Sequence, residues 1–197
     1  MILLVAVLAG WLAGFLYARW RKRSWNVPPV RFAWLVIIAF LPQFFAFYLP
    51  ATRDRIPDAW VAAGLIASDT LFLVFCWLNR HLAGFWLLAG GAALNLIVIV
   101  SNGGFMPISP QTAGHLIPPD VLETLTVGGR FGAGKDILLL PENTRLVWLS
   151  DRFLLPDRFP NQVAFSLGDV LIAIGAFWLM ATQGKQPLII KKPEKRN

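Results

Sequence analysis

The sequence predicts an all-α membrane protein, a five-helix transmembrane bundle with a Pro/Gly-rich outer loop of mixed short elements. Composition is the first reason: 56% of the 197 residues are hydrophobic and the mean hydropathy is +0.59, which is too apolar for a soluble domain of this length. The second reason is the arrangement of those residues in apolar stretches, each close to the roughly 20 residues that cross a hydrocarbon core.

The charged residues provide the third reason, because they sort to opposite ends of these stretches. If the stretches alternate in direction, one side gathers eleven Lys and Arg and a single acid, Glu194, whereas the other carries seven basic and nine acidic residues. Cytoplasmic loops carry the excess of Lys and Arg. The pattern therefore predicts a multi-pass protein of the cell (plasma) membrane with its N-terminus outside and its C-terminus in the cytoplasm. Its basic flanks favour contact with anionic lipid at the bilayer, and no nucleic-acid partner is expected.

The predicted elements follow in order along the chain. Residues 1-101 hold four helices, residues 102-166 form an extracytoplasmic loop region, and a basic cytoplasmic tail at 184-197 follows the fifth helix. The five predicted helices cover 1-18, 32-49, 59-78, 82-101 and 167-183. Small residues at four-residue spacing in the first helix indicate close packing within the bundle, and Pro42 predicts a kink in the second.

Asp69 and Asn95 form the first candidate site, an intramembrane polar site. Asp69 falls near the middle of the third predicted helix, where a charged side chain costs at least about 2.5–3.5 kcal/mol. In an antiparallel helix pair, Asn95 lies at a depth about 6 Å away, within reach through helix tilt or a bridging water. The pair indicates either a site that handles a proton or cation, or a structural hydrogen bond between two helices.

Motif residues at the predicted outer face form the second candidate site. Asn102, Gly103 and Gly104 permit the turn that ends the fourth helix, and a binding loop would use the same backbone freedom. Ser166 and Asp169 have the spacing of a capping box at the start of the fifth helix. The candidate residues of this outer-face motif are Asn102, Gly103, Gly104, Met106, Pro107, Asp151, Ser166 and Asp169.

Other signatures argue against several kinds of site. The chain has a single cysteine, Cys76, and two histidines, so we expect neither a Cys/His metal site nor a cofactor. The run from Gly129 to Lys135 has the spacing of a phosphate-binding loop, but Asp136 stands where a Ser or Thr would bind magnesium. We interpret the run as a Gly-rich turn, with a phosphate or lipid-headgroup contact through Arg130 and Lys135 as the alternative.

Two stretches of the chain resemble a known family. They are Ser101-Asn102-Gly103-Gly104-Phe105-Met106-Pro107, and Leu149-Ser150-Asp151 leading to Phe165-Ser166-Leu167-Gly168-Asp169-Val170-Leu171-Ile172. On these residues and the five-span layout, the chain is similar to the domain of unknown function 5317 family, a group of uncharacterised bacterial integral membrane proteins. The resemblance implies a small integral membrane protein and no assigned activity.

Three functions stay open at this point. The sequence favours a non-enzymatic membrane component that binds a partner protein or a lipid through its outer loop, because large apolar residues in that loop need burial. The first alternative is a small transporter or channel that uses Asp69 and Asn95. The second is an outer-leaflet enzyme that acts on lipid or envelope precursors.

Overall fold

The computed structural model describes residues 2–53, 55–132, 134–156, 159 and 162–182, and most of the chain is helical. Three helices are long and apolar enough to cross a membrane: α1 (Ile2–Trp20), α4 (Asp58–Leu78) and α5 (Gly84–Ser101). Two further apolar helices are shorter: α2 (Trp34–Gln43), which continues as a π-helical turn over Phe44–Tyr48, and α8 (Leu167–Ala181). The predicted tail at 184-197, and residue 183 before it, lie outside the described residues.

Short elements occupy the connections between these helices. One turn, α3 (Pro50–Arg53), precedes α4. Residues 102–166, which we call the loop segment, contain two short helices, α6 (Pro110–Ala113) and α7 (Pro119–Glu123). Strand β1 (Met106–Ile108) pairs in parallel with β2 (Asp136–Leu138), and β3 (Phe153–Leu154) pairs antiparallel with β4 (Ala164–Phe165). Single 3-10 turns at Pro141–Asn143 and Val147–Leu149 complete the loop segment.

The five apolar helices pack in the order α1, α8, α5, α4, α2, so α1 and α2 lie at opposite ends of the row. Glycine allows the closest of these contacts. A Cβ atom on Gly84 of α5 would lie 2.6 Å from the carbonyl oxygen of Gly175 in α8, and a Cβ on Gly10 of α1 would lie 2.5 Å from that of Phe177. The small face of α1 therefore packs against α8 within the bundle, as the sequence predicts.

Two asparagines attach extended chain to the ends of this layer. At the end of α4, Asn79 accepts a hydrogen bond from the Arg31 amide (2.7 Å) and donates to the carbonyl oxygens of Arg31 and Phe75 (2.9 Å each). Asn102, at the end of α5, accepts from the Arg145 amide and donates to the Arg145 carbonyl (2.9 Å each) and to that of Val98 (2.8 Å). We call the end near Asn79 the basic end and the other the loop end.

Candidate functional site: a polar cavity beneath the loop segment

A cavity of about 320 Å³ lies on one side of the helix row. All five apolar helices line it, and the loop segment contributes one side chain, that of Lys135. Most of the lining is apolar, and the polar side chains lie in the part near Lys135. The polar lining residues are Gln43, Ser68, Asp69, Asn95, Lys135 and Asp169. We refer to this space as the central cavity.

The structure places both residues of the predicted intramembrane site in the lining of the central cavity. The possible Asp69–Asn95 hydrogen bond is not among the contacts of the described residues, because Asn95 bonds to the start of α8 instead. Its Nδ2 donates to Asp169 Oδ1 at 2.9 Å, and its Oδ1 accepts from Ser166 Oγ at 2.9 Å. Asn95 therefore joins the intramembrane site to the predicted outer-face motif.

The predicted capping box forms at the N-terminus of α8. Ser166 Oγ accepts from the Asp169 amide, and Asp169 Oδ2 accepts from the Ser166 amide, both at 3.1 Å. These bonds satisfy amide groups that an α-helix leaves unpaired at its start. Such partners are especially important for α8, because its first turn lies beside Asn95 rather than at the end of the helix row. Asn95 is about 9 Å from the end of α5, at 1.5 Å per residue. A Cβ on Gly168 would overlap Asn95 Oδ1, so glycine is required for this approach.

The fold of the loop segment brings Lys135 to the cavity. Strand β1 lies between β2 on one side and Asp151 on the other. The Met106 amide donates to the Lys135 carbonyl oxygen at 2.9 Å, and the Asp151 amide donates to the Pro107 carbonyl oxygen at 3.2 Å. Across this backbone, Lys135 Nζ forms an ion pair with Asp151 Oδ2 at 2.9 Å. The Asp151 side chain is only 2% exposed, so the lysine neutralises a buried acid.

A third acid, Asp136, lies beside this pair. The Asp151 carboxyl group interacts directly with that of Asp136 and lowers the pKa of Asp136. One oxygen of each, Oδ1, is buried and receives no N–H or O–H from any other described residue. Two buried carboxyl groups beside a single lysine leave one negative charge unbalanced, which favours the protonated form of one of them.

Burial dominates the electrostatics of this cluster. Burial raises the pKa of Asp151 to about 7, while the Lys135 ammonium lowers it and Asp136 raises it further. Burial also raises the pKa of Asp136 against the lowering effect of Lys135. Burial alone would lower the pKa of Lys135, but its three acidic neighbours raise it above the usual value. Lys135 therefore stays charged at neutral pH, and Asp151 titrates near neutral pH.

The remaining motif residues build the loop segment rather than line the cavity. Asn102 holds Arg145, as described above, and Gly103 and Gly104 have φ values of +77° and +92° that suit glycine. Gly104 also packs where a Cβ would overlap Ala62. Met106 and Pro107 form the buried strand that carries the cluster. Their contribution to the site is positional.

Sequence reasoning missed Asp136, Ser68 and Gln43 as site residues, and it named Lys135 only in an alternative interpretation, as a phosphate or lipid-headgroup contact. The distribution of lysines could have identified Lys135 as a site residue. The other five lysines all lie in the predicted cytoplasmic segments, and Lys135 alone lies in the predicted outer loop. Its predicted Gly-rich turn is present, with Gly132 at a φ of +62°. The direction of its side chain depends on contacts far away in sequence.

The central cavity is closed on one side and open on another. Toward the basic end, Phe72 and Ile172 of its lining pack against an apolar cluster that contains Phe75, Phe85 and Leu179. Between the outermost helices, by contrast, its lining includes the half-exposed Leu3 of α1 and Phe40 of α2. The cavity thus opens sideways, through the gap between α1 and α2.

Two further spaces meet the central cavity at Lys135. One, of about 380 Å³, shares Gln43 and Lys135 with it and reaches the exposed Tyr48. The other, of about 270 Å³, shares Lys135 and Asp169 and extends along the loop segment to Val163. Lys135 therefore stands at the junction of all three spaces.

Comparison with known proteins assigns the chain to a family. The model of a family of unknown function, DUF5317, matches residues 28–181. The chain belongs to the DUF5317 family. The match confirms the resemblance seen in the sequence, and it covers every residue that lines the central cavity except Leu3.

One relative of this DUF5317 protein is an uncharacterised protein of Thermotoga maritima. It is 33% identical over 113 residues, which is 54% of this chain and 55% of the relative. The match thus spans about half of that protein's length. No solved structure matches the chain.

Proposed function

We propose that this DUF5317 protein crosses the plasma membrane five times, with its N-terminus and loop segment outside and its C-terminus in the cytoplasm. The glycine contacts support alternating helix directions: Gly84 and Gly91 of α5 meet Gly175 and Gly168 of α8 in reverse order. Arg21, Lys22, Arg31 and Arg80 then share the basic end, which agrees with the positive-inside rule and suits anionic lipid.

The shortness of α8 is compatible with this arrangement. With 15 residues α8 is about 22 Å long, less than the roughly 30 Å of a hydrocarbon core. Its N-terminus begins next to Asn95, inside the layer, where Asn95, Ser166 and Asp169 satisfy its polar groups. A helix end within a membrane needs such partners.

We infer that the protein is a non-enzymatic binding component whose ligand is an amphiphile from the bilayer. The observation that carries this inference is the central cavity, which is apolar and open sideways between α1 and α2 but polar beneath Lys135. An amphiphile fits both parts: its chain enters through the side opening, and its headgroup reaches the polar part. The closed apolar wall toward the basic end favours binding over passage across the membrane.

Burial within the chain favours a lipid over a partner protein as the ligand of the loop segment. The expected need for burial is met for Phe105, Met106 and Leu138, which are buried in the fold itself. Trp148 and Phe153 remain exposed. Aromatic side chains of this kind are common where a membrane protein meets the headgroup layer.

A small transporter that uses Asp69 and Asn95 is the second candidate, favoured by the position of Asp69 twelve residues into α4 and in the cavity lining. It predicts a pH-dependent flux of a monovalent cation into proteoliposomes that Asp69→Asn abolishes. Flux no greater than in protein-free liposomes would exclude it.

Cysteine labelling tests the topology. In a Cys76→Ala background, Glu142→Cys in the loop segment should react with a membrane-impermeant maleimide on intact cells. Arg80→Cys at the basic end should react only after permeabilisation, because the two positions lie on opposite sides. Reaction of both on intact cells would contradict the proposed arrangement.

Filling the cavity tests the binding function. Ala39 of α2 is buried in the cavity lining, so Ala39→Phe should occupy the ligand space and lower the amount of co-purified lipid seen by native mass spectrometry. Ala67→Phe, an equal change at an exposed position of α4, is the matched control and should leave lipid retention unchanged. Identical lipid content in both variants and the parent chain would refute binding in the cavity.

A further inference from the structure

We propose that the headgroup bound in the central cavity is a primary ammonium group, so that the ligand is an amphiphile carrying a protonated primary amine. This assignment rests on the proposed binding function and specifies its ligand class. Its basis is the charge balance around the cavity, the hydrogen-bond acceptors that the fold leaves without donors, and the side opening.

Negative groups outnumber positive ones around the polar part of the cavity. Among the described lining residues, Lys135 is the one basic side chain, whereas Asp69 and Asp169 are both acidic. Behind Lys135, the buried acids Asp136 and Asp151 add two further carboxyl groups, and Asp151 forms an ion pair with Lys135. The two acids of the lining outnumber Lys135 even before these two carboxyl groups are counted, so a cation balances the site and an anion does not.

The existing hydrogen bonds show which groups are available to a ligand. Both oxygens of Asp169 are engaged, Oδ1 by Asn95 and Oδ2 by the Ser166 amide. Lys135 is engaged by Asp151 at 2.9 Å. An anionic headgroup would therefore have to share Lys135 with the buried Asp151, and it would face the carboxylates of Asp69 and Asp169.

The neighbouring side chains of Ser68 and Asp69 in the lining form no such hydrogen bonds with described residues. Asp69 forms no hydrogen bond or ion pair with any described residue, although its carboxylate lines the cavity. Ser68 is 1% exposed, lines the same cavity, and its Oγ has no hydrogen-bond partner in the described part of the chain. Unpaired buried polar atoms are costly, so their presence in a cavity lining indicates the position of a ligand.

A primary ammonium group suits these two acceptors. It carries a positive charge and three N–H donors, enough to bond to Asp69 and Ser68 together. A trimethylammonium group of equal charge has no N–H to donate. The apolar tail of the same molecule can leave the cavity past Leu3 and Phe40, toward the bilayer.

Native mass spectrometry of the full chain in detergent micelles tests the assignment with three probes that share one C18 chain. The probes are oleylamine, oleyltrimethylammonium and oleate, added at equal concentration. We expect oleylamine to bind about tenfold more tightly than oleyltrimethylammonium, the effect of losing one charge-assisted hydrogen bond, and oleate to bind weakest.

Variants connect that preference to the cavity. Asp69→Asn should reduce oleylamine binding about tenfold, and Ser68→Ala, a smaller change, should reduce it a few-fold. Asp58→Asn is the matched control: it makes the same chemical change on the same helix, at a carboxylate that is 67% exposed and pairs with Arg130. It should bind oleylamine as the parent chain does.

The outcomes separate this assignment from the function on which it rests. Equal binding of the two ammonium probes, tighter binding of oleate, or unchanged oleylamine binding by both Asp69→Asn and Ser68→Ala would overturn the ammonium assignment. If one of those results came with the loss of lipid from Ala39→Phe, the binding function would stand without it. Failure of all three probes to bind would overturn both.

Discussion

The two ends of the helix row hold extended chain in different ways. At the basic end, Asn79 holds Arg31 through neutral hydrogen bonds, and Trp25 Nε1 donates to the Met180 carbonyl oxygen at 3.1 Å. At the loop end, Asn102 holds Arg145 by the same pattern of bonds. The loop end nevertheless also buries Lys135, Asp136 and Asp151 next to a cavity, and the basic end has no comparable charged cluster among the described residues.

The difference shows that attaching a loop to this bundle does not require buried charge. A neutral amide accomplishes it at both ends, whereas moving an ion out of water has a penalty of several kcal/mol that pairing only partly offsets. The charged cluster therefore exceeds what the loop needs for its stability. Lys135 of this cluster lies at the junction of three cavities, so we connect the additional buried charge with ligand binding.

The largest expected effect comes from removing either asparagine. Asn79→Ala and Asn102→Ala each remove three hydrogen bonds, so each should lower the free energy of unfolding by about 3 kcal/mol, at about 1 kcal/mol per bond. SDS titration in mild detergent, followed by tryptophan fluorescence, measures the loss. The exposed Asn143→Ala is the control and should stay within about 0.5 kcal/mol of the parent chain. A far smaller loss for Asn102→Ala than for Asn79→Ala would break the comparison, since the charges would then hold the loop.

A double-variant cycle on the ion pair sharpens the comparison. Lys135→Met leaves the buried Asp151 without its cation and should lower the free energy of unfolding by about 2 kcal/mol, below the value for a fully buried pair because Lys135 is 35% exposed. Adding Asp151→Asn should recover most of that loss, because no unpaired charge remains. The same titration reports both values. If the double variant were as unstable as Lys135→Met, the ion pair itself would stabilise the loop, and the comparison of the two ends would fail.

The smallest expected effect is a dependence on pH that belongs to the loop end. Because the pKa of Asp151 is raised from 3.8 to about 7, mainly by burial, the folded chain binds more protons than the unfolded chain between these values. Stability should therefore rise as the pH falls, by about 1 kcal/mol from about pH 8 to about pH 6.5. Asp151→Asn should reduce this slope in the same titration. A wild-type chain that loses stability across this window would contradict the assignment.

Local patterns in the sequence predicted much of the fold. The apolar stretch 59-78 became α4 at Asp58–Leu78, and the capping box at Ser166 and Asp169 forms as predicted. Both signals depend on residues a few positions apart. The direction of Lys135 could not be predicted in this way, because strands of three residues without periodicity bring it to Asp151.

The candidate site was predicted in pieces. Asp69 was identified because a carboxylate in an apolar helix is costly, and it does line the cavity. Its expected partner, Asn95, bonds to Asp169 and Ser166 instead, because α8 packs against α5 at glycines 91 and 168. The spacing of residues along α5 does not show whether the Asn95 side-chain amide will bond to α4 or to α8.

By itself the sequence determined that the chain is mostly helical, where its apolar helices lie, the capping box of α8 and the distribution of charge, because each depends on composition and short-range periodicity. The tertiary structure alone decided that Asp69 and Asn95, the capping box and the lysine of the loop segment lie around one cavity. Their union depends on contacts between residues that are up to 74 positions apart, as in the bond from Asn95 to Asp169. Such contacts arise from packing of whole helices, which no short stretch of sequence encodes.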